Sequence, residues 1–243
     1  MRKDENLFYA VSVGTSKEQP RRRGYGQYCA VASALDVVGE RWTLLIVRDL
    51  FLGPKRYTDL RAGLPGIATD LLTARLRTLE GAGLVQRRTL PRPAPASVYE
   101  LTERGRLLGP ALRALAQVGF TFLDDPDDDT HMPPDRLVIA LRAAYDAAAV
   151  AEHRATYQLE LAGESFAIAV RGEEIDIRPG AAPDADLALR TEPITLTRLL
   201  RGVARVDDAR AGGRLEVEGH PSRFEDFLAA FALPRSNGRT SSS

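Results

Sequence analysis

The chain has 243 residues, 44% apolar and 27% charged, which is enough for two folded domains and too apolar for a disordered one. Its 33 Lys and Arg balance 33 Asp and Glu, so net charge gives no reason to expect a polyanionic partner. The single cysteine, Cys29, excludes an intrachain disulfide. No apolar run reaches the roughly 18 residues of a membrane helix, and the charged start MRKDENLFYAVSVG lacks the apolar core of a secretory signal, so a cytoplasmic location is expected.

The balance conceals a division. Residues 21–119 carry 16 Lys and Arg against 8 Asp and Glu, a net of +8, whereas residues 120–243 carry 14 against 22, a net of −8. Only the basic half is expected to meet a polyanion, unless the asymmetry is ordinary surface variation. Residues 1–23 read as a flexible leader, 24–122 as a first domain and 123–134 as an acidic, proline-containing linker within LDDPDDDTHMPPD. Residues 135–234 read as a second domain and 235–243 as a polar tail.

Residues 28–38 space Val31, Ala34, Leu35 and Val38 as a helix that stops at Gly39. The nearly all-apolar WTLLIVRDLFL (42–52) suits a central buried helix. A short helix over 58–63 turns Leu60 and Leu64 inward, and Pro65-Gly66 makes a turn. Residues 69–80 form an amphipathic helix with Leu72, Leu76 and Leu79 inside and Asp70, Thr73 and Arg77 outside. The period then changes to two: 84–90 and 97–101 read as strands of a hairpin joined by PRPAPA. Thr102 is expected to cap one long helix whose stripe is Leu107, Leu108, Leu112, Leu115 and Val118.

Short helix, turn, amphipathic helix and basic hairpin, in that order, describe a winged helix-turn-helix. The second helix of such a pair fits the major groove of duplex DNA and its outer side chains reach base edges. Thr69, Asp70, Thr73 and Arg77 are the expected base-reading residues. Lys55, Arg56, Arg87, Arg88 and Arg92 are the expected phosphate contacts, although any one arginine on its own is more often a plain surface residue.

Across 28–119 the motifs GERW, RYTDL, LPGI, LTARLRTLE, GLV and YELTERG resemble the HxlR family of winged-helix regulators, relatives of the MarR regulators. The resemblance implies a homodimer joined through the first and last helices of the domain, around 29–38 and 107–122. Its two recognition helices would read a roughly palindromic operator. Ala68 departs from the serine common in the family as helix cap. Cys29 stands where the family places a cysteine that some members use to sense oxidants. Two readings are open for it: a thiol made reactive by the helix start and by Arg21–Arg23, or a small buried interface residue.

In the second half, 135–154 reads as a helix with Leu137, Leu141, Ala144 and Tyr145 inward. Alternating strands follow at 156–161, 165–171, 174–178 and 185–190, then a helix at 195–202, a strand at 213–218 and a helix at 221–231. The stretches ADLALRTEP, TLTRLLRG and GRLEVEGHPSRFEDFLAAF resemble a sterol carrier protein type 2 domain, which implies an apolar tunnel. The expected wall is Tyr157, Leu159, Phe166, Ile168, Ile175, Ile177, Leu187, Leu199, Leu200, Phe224, Phe227 and Phe231. The same residues would equally build a plain core.

The fold class expected is thus α+β: a winged helix-turn-helix, mainly helical with a β-hairpin wing, followed by an α/β sterol-carrier-like domain. His131, His153 and His220 are scattered and no nucleophile, phosphate or metal motif appears, so no enzyme, cofactor or metal is expected. The expected function is a sequence-specific, homodimeric transcription regulator of double-stranded DNA that responds to a hydrophobic small molecule, with no membrane partner. Two alternatives stand beside it: a regulator switched by Cys29, and a lipid or small-molecule carrier with little DNA binding.

Overall fold

In the first unit, helices α1 (Ala30–Val38), α2 (Thr43–Leu50), α3 (Tyr57–Gly63) and α4 (Thr69–Gly81) surround one apolar core. The computed structural model describes residues 24–90, 96–127, 129–150 and 154–234. The leader (1–23), Arg92 and most of the proline-rich tip, His153, and the tail (235–243) lie outside the described residues. Leu60 and Leu64 pack with Leu72, Leu76 and Leu79 and with Ile46, Val47 and Leu50 of α2. Each such leucine, fully out of water, contributes roughly 1.5–3 kcal/mol. The turn into α2 takes Trp42 to a φ of 79°, a left-handed conformation that costs a non-glycine residue energy and is held here by the indole packed on this core.

The wing strands β2 (Val85–Thr89) and β3 (Ser97–Leu101) pair antiparallel as expected. A further strand, β1 (Lys55–Arg56), joins on the other edge of β3, giving the order β1-β3-β2. Two residues are too few for a period of two to register in sequence. The long helix expected after Thr102 is instead a single turn, α5 (Glu103–Arg106), followed by α6 (Gly109–Phe120). The Thr102 hydroxyl accepts from the Gly105 amide at 3.1 Å and contacts the Gly83 carbonyl at 2.7 Å, drawing α5 onto the base of the wing. There a Cβ on Gly105 would collide with the Leu84 carbonyl oxygen. Pro110, in the first turn of α6, has no amide to continue a helix through from α5.

The second unit begins with α7 (Pro134–Ala144), then strands β4 (Arg154–Leu161), β5 (Glu164–Arg171), β6 (Glu174–Pro179) and β7 (Leu187–Thr191), helices α8 (Pro193–Leu200) and α9 (Val206–Ala211), strand β8 (Leu215–Gly219) and helix α10 (Pro221–Ala230). The sheet runs β6-β5-β4-β7-β8, with β4 and β7 parallel and the other pairs antiparallel. Parallel neighbours need a crossover. This one is pinned where the Asp186 carboxylate accepts from the Thr156 amide at 2.7 Å. The helix expected over 135–154 ends at Ala144, because buried Tyr145 turns the chain and Asp146 caps a short 3-10 turn over Ala147–Ala149, accepting from the Ala148 amide at 2.9 Å. The helix α9 was not expected; it is under two turns long and buries only Ala209.

The two units share material. Phe120, the last residue of α6, is buried in the core of the second unit, and Leu52 and Ala116 of the first pack against that core. The linker is coil but not free: Arg201, only 4% exposed, pairs with Asp125 at 3.2 Å and donates to the Leu123 carbonyl at 3.0 Å. No helix among the described residues is long and apolar enough to cross a membrane.

Candidate nucleic-acid interface

Helix α4 starts after Ala68, whose backbone is extended and whose side chain offers no cap; Asp70 in the first turn complements the positive end of the helix dipole instead. Thr69, Asp70 and Arg77 are exposed on the outer face, while Leu72, Leu76 and Leu79 hold the opposite face in the core. Thr73 is half-buried, and its hydroxyl donates to the Thr69 carbonyl at 3.0 Å rather than standing clear. The hydroxyl of Tyr57, the first residue of α3, donates to the same carbonyl at 2.9 Å and lies 3.3 Å from the Thr73 hydroxyl. It thereby fixes where α4 begins relative to α3. Tyr57 was not among the residues singled out from sequence, although it stands in the RYTDL motif.

On the wing, register places Lys55, Tyr99 and Arg87 in one cross-strand row and Arg56, Val98 and Arg88 in the next. Arg87 is exposed and held by the Ser97 hydroxyl, while Arg88 pairs with Glu100 at 3.0 Å. Gln86 donates to Glu100 at 2.8 Å, and that bond, with Arg88, holds the Glu100 carboxyl below the ordinary carboxylate range. Arg56 is exposed and its amide donates to Asp59 at 3.1 Å in the capping box of α3. Lys55 is half-buried and faces Asp135 of α7 at 3.7 Å, so an acid from the second unit shares this candidate phosphate contact.

A second link ties the units together. Asp49 of α2, 1% exposed, accepts from both terminal nitrogens of Arg136 on α7, at 2.5 and 3.3 Å, and from Arg48 at 2.9 Å. Arg136 also donates to the carbonyl of Gly63, the last residue of α3. One guanidinium therefore binds α7 to the central helix and to the first helix of the helix-turn-helix. This acid comes from the basic unit and this base from the acidic one, the reverse of the Lys55–Asp135 pair.

Cys29 occupies the N-cap position of α1 and is exposed, with no side-chain capping bond. Two stretches of the single chain leave apolar side chains exposed: Tyr28, Val31 and Leu35 at α1, and Leu107, Leu115, Val118 and Phe122 at and beside α6. In the second unit the expected wall residues pack on one another instead. Tyr157, Leu159, Phe166, Ile168, Ile177, Leu187, Leu199, Leu200, Phe224, Phe227 and Phe231 are buried in one cluster, with Ile175 at its margin. The Tyr157 ring meets Phe227 edge-on at 5.1 Å, and burial pushes its hydroxyl far above the usual tyrosine range.

Comparison with known proteins agrees with this division. Residues 37–127 match the HxlR-like helix-turn-helix family and residues 138–228 the SCP-2 sterol transfer family. An uncharacterised HTH-type transcriptional regulator of Synechocystis is 37% identical over 99 residues, 41% of this chain and 73% of that one. Another, of Mycobacterium bovis, is 41% identical over 108 residues, covering 44% of this chain and 65% of that one. Among solved structures, a MarR-family transcriptional regulator of Porphyromonas gingivalis is 30% identical, covers 40% of this chain and 95% of that one, and gives a TM-score of 0.38. The chain belongs to the HxlR-like helix-turn-helix family of transcriptional regulators and carries an SCP-2-type domain behind its winged helix.

Proposed function

We propose that the chain binds a specific operator as a homodimer, through α4 in the major groove and the β2–β3 wing on the backbone, and that a small molecule held by its C-terminal domain sets the affinity. The observation that carries the DNA reading is the exposed row Thr69, Asp70 and Arg77 on a helix whose start is latched by Tyr57, beside a wing bearing Arg87 and Arg88. Arginine at Arg77 suits a guanine edge, and Asp70 suits a cytosine amino group while rejecting phosphate. The dimer reading is supported by the apolar side chains left exposed on α1 and α6. Pairing through them sets two α4 helices to read half-sites roughly 34–36 Å apart.

The test is fluorescence anisotropy against the chain's own upstream DNA and a scrambled duplex across a salt series. Selective binding with a steep negative salt slope is expected. Arg87→Ala is expected to weaken both duplexes alike and to reduce the slope by about one, whereas Arg77→Ala costs about 1–3 kcal/mol on the operator alone. Equal, weak binding to both duplexes would favour a carrier role for the chain. A thiol switch is the second reading, favoured by the exposure of Cys29 within the proposed dimer face. Under it, Cys29→Ser abolishes a response of operator binding to peroxide.

A further inference from the structure

A cleft of about 1240 Å³ lies between the two units. Leu44, Leu45, Phe51 and Leu52 from α2 and its C-terminal end, together with Ala116 of α6, wall one side, and Ile139 of α7 the other. The strand side is made of small residues. Thr156, Ala167 and Ala169 alternate with buried Tyr157, Ile168 and Val170, so they lie on the face of the sheet turned away from its packed core. That face is where room is left, and the volume exceeds the roughly 300–1,000 Å³ of ordinary small-molecule sites.

The charges around the cleft are unequal. Arg48, Arg113, Arg142, Arg171 and Arg178 line it, against Glu173, Glu174 and Asp176. Asp176 is engaged with Arg178 at 2.6 Å, Arg48 with Asp49 at 2.9 Å, and Glu174 stands opposite Arg171 across the β5–β6 ladder. Among the described residues no ion pair holds Arg113 on α6 or Arg142 on α7, nor Arg171 or Glu173 on the β5–β6 hairpin, and of these only Arg113 and Arg142 stand on the helices that carry the apolar wall. Arg142 donates one terminal nitrogen to the Ile177 carbonyl at 3.3 Å, but its Nε is buried without a partner. Burial, with the neighbouring positive charges of Arg106 and Arg113, lowers its pKa despite Asp176. A buried N–H without an acceptor is costly, and a guanidinium fork is shaped to take a carboxylate in two parallel bonds.

We propose that this cleft binds an amphipathic carboxylate, with its head on Arg142 and Arg113 and its hydrocarbon body along the α2–α6 wall. The inference rests on the ligand-responsive reading above and names the chemistry of that ligand. It also supplies a route to the DNA surface, because α2 and α7, the two helices the cleft separates, are the ones joined by Asp49 and Arg136. A ligand that moves α7 from α2 pulls on the Gly63 end of α3 and so on the start of α4.

Decanoate and decanol, of equal chain length, are titrated calorimetrically into the full-length protein below their micelle or solubility limits. Decanoate is expected to bind at least tenfold tighter. Arg142→Met removes that margin, Arg142→Lys retains part of it, and Arg113→Met reduces it. Ala169→Phe, which fills the cleft from the strand side, abolishes both bindings, with circular dichroism confirming that each variant is folded. Equal binding of acid and alcohol, a margin untouched in both methionine variants, or undiminished binding to Ala169→Phe would overturn the proposal. Operator anisotropy on the same samples keeps the two ideas apart. If decanoate binds as expected and operator affinity does not change, the site stands and the ligand response falls.

Discussion

Tyr57 and Asp49 tie the helix-turn-helix together from behind the exposed face of α4. The Tyr57 hydroxyl holds the Thr69 carbonyl at 2.9 Å, so the entry of α4 is fixed by a bond from α3 rather than by a capping side chain. Tyr57→Phe removes one neutral hydrogen bond and is expected to cost about 1 kcal/mol in urea unfolding. Its larger effect belongs in the ratio of operator to scrambled DNA affinity, because a recognition helix with a looser start loses register rather than charge. An unchanged ratio would show that α4 is positioned by its leucines alone. Neither residue was legible beforehand. Hydrophobic spacing reports which face of a helix is buried, whereas the Tyr57 bond spans 12 residues and the Asp49–Arg136 pair spans 87. The exposed candidates Thr69, Asp70 and Arg77 were legible, because they are what remains of α4 once its leucine stripe is assigned. Thr73 was assigned by the same rule, yet it turns back to its own helix and to Tyr57.

At the level of elements, helical and strand periods located every helix of the first unit except the break between α5 and α6. That break follows from the close approach of Gly105 to the Leu84 carbonyl oxygen, which no local pattern records, and from Pro110, whose missing amide the leucine stripe masks. Between the two helices Leu107 is turned out to solvent, and α6 leaves Val118 exposed. If α1 and α6 join two chains, Val118→Lys places a charge in that contact without touching the cleft. Light scattering coupled to size exclusion should then give a particle near the 26.5 kDa of one chain, against twice that mass for the unaltered protein. The same variant should lose operator affinity while staying folded, since Val118 is more than half exposed in the single chain. Equal particle mass for both would move the dimer contact elsewhere. In the second unit the alternating strands were plain in sequence, but alternation alone does not say which face is packed and which is open. The large residues that looked like a tunnel wall fill the core, and the small ones between them border the cleft.

For the molecule as a whole, the two halves carry opposite net charge, and the contacts between them are more particular than simple attraction. Asp49 is buried and holds two arginines, and Arg48 has its pKa lowered chiefly by the burial this requires. Asp49→Ala leaves Arg136 without a carboxylate and is expected to cost about 3–5 kcal/mol, the range for breaking a buried pair from one side. Asp49→Leu with Arg136→Met should recover part of that loss, since the apolar pair removes one of the two charges that Asp49 balanced and leaves only the partly exposed Arg48 without its carboxylate. A double variant no more stable than the single one would mean that the clasp contributes through its geometry and not through charge balance. Because the clasp ends on Gly63, operator affinity measured in the recovered variant also reports whether the second unit steadies the reading helix.

Phe120 has a different consequence. It is the last residue of a helix that belongs to the first unit, yet it lies in the core of the second, and Arg201 of the second unit closes over the chain just after it. A cut placed in the acidic stretch 123–134, where composition alone would put it, would strip the sterol-carrier-like half of one of its own core side chains and leave a greasy stump on the other. The regions matched as two families are therefore not two interchangeable modules. Their seam runs through the end of α6, and a graft of either half onto a new partner would have to bring that helix end with it.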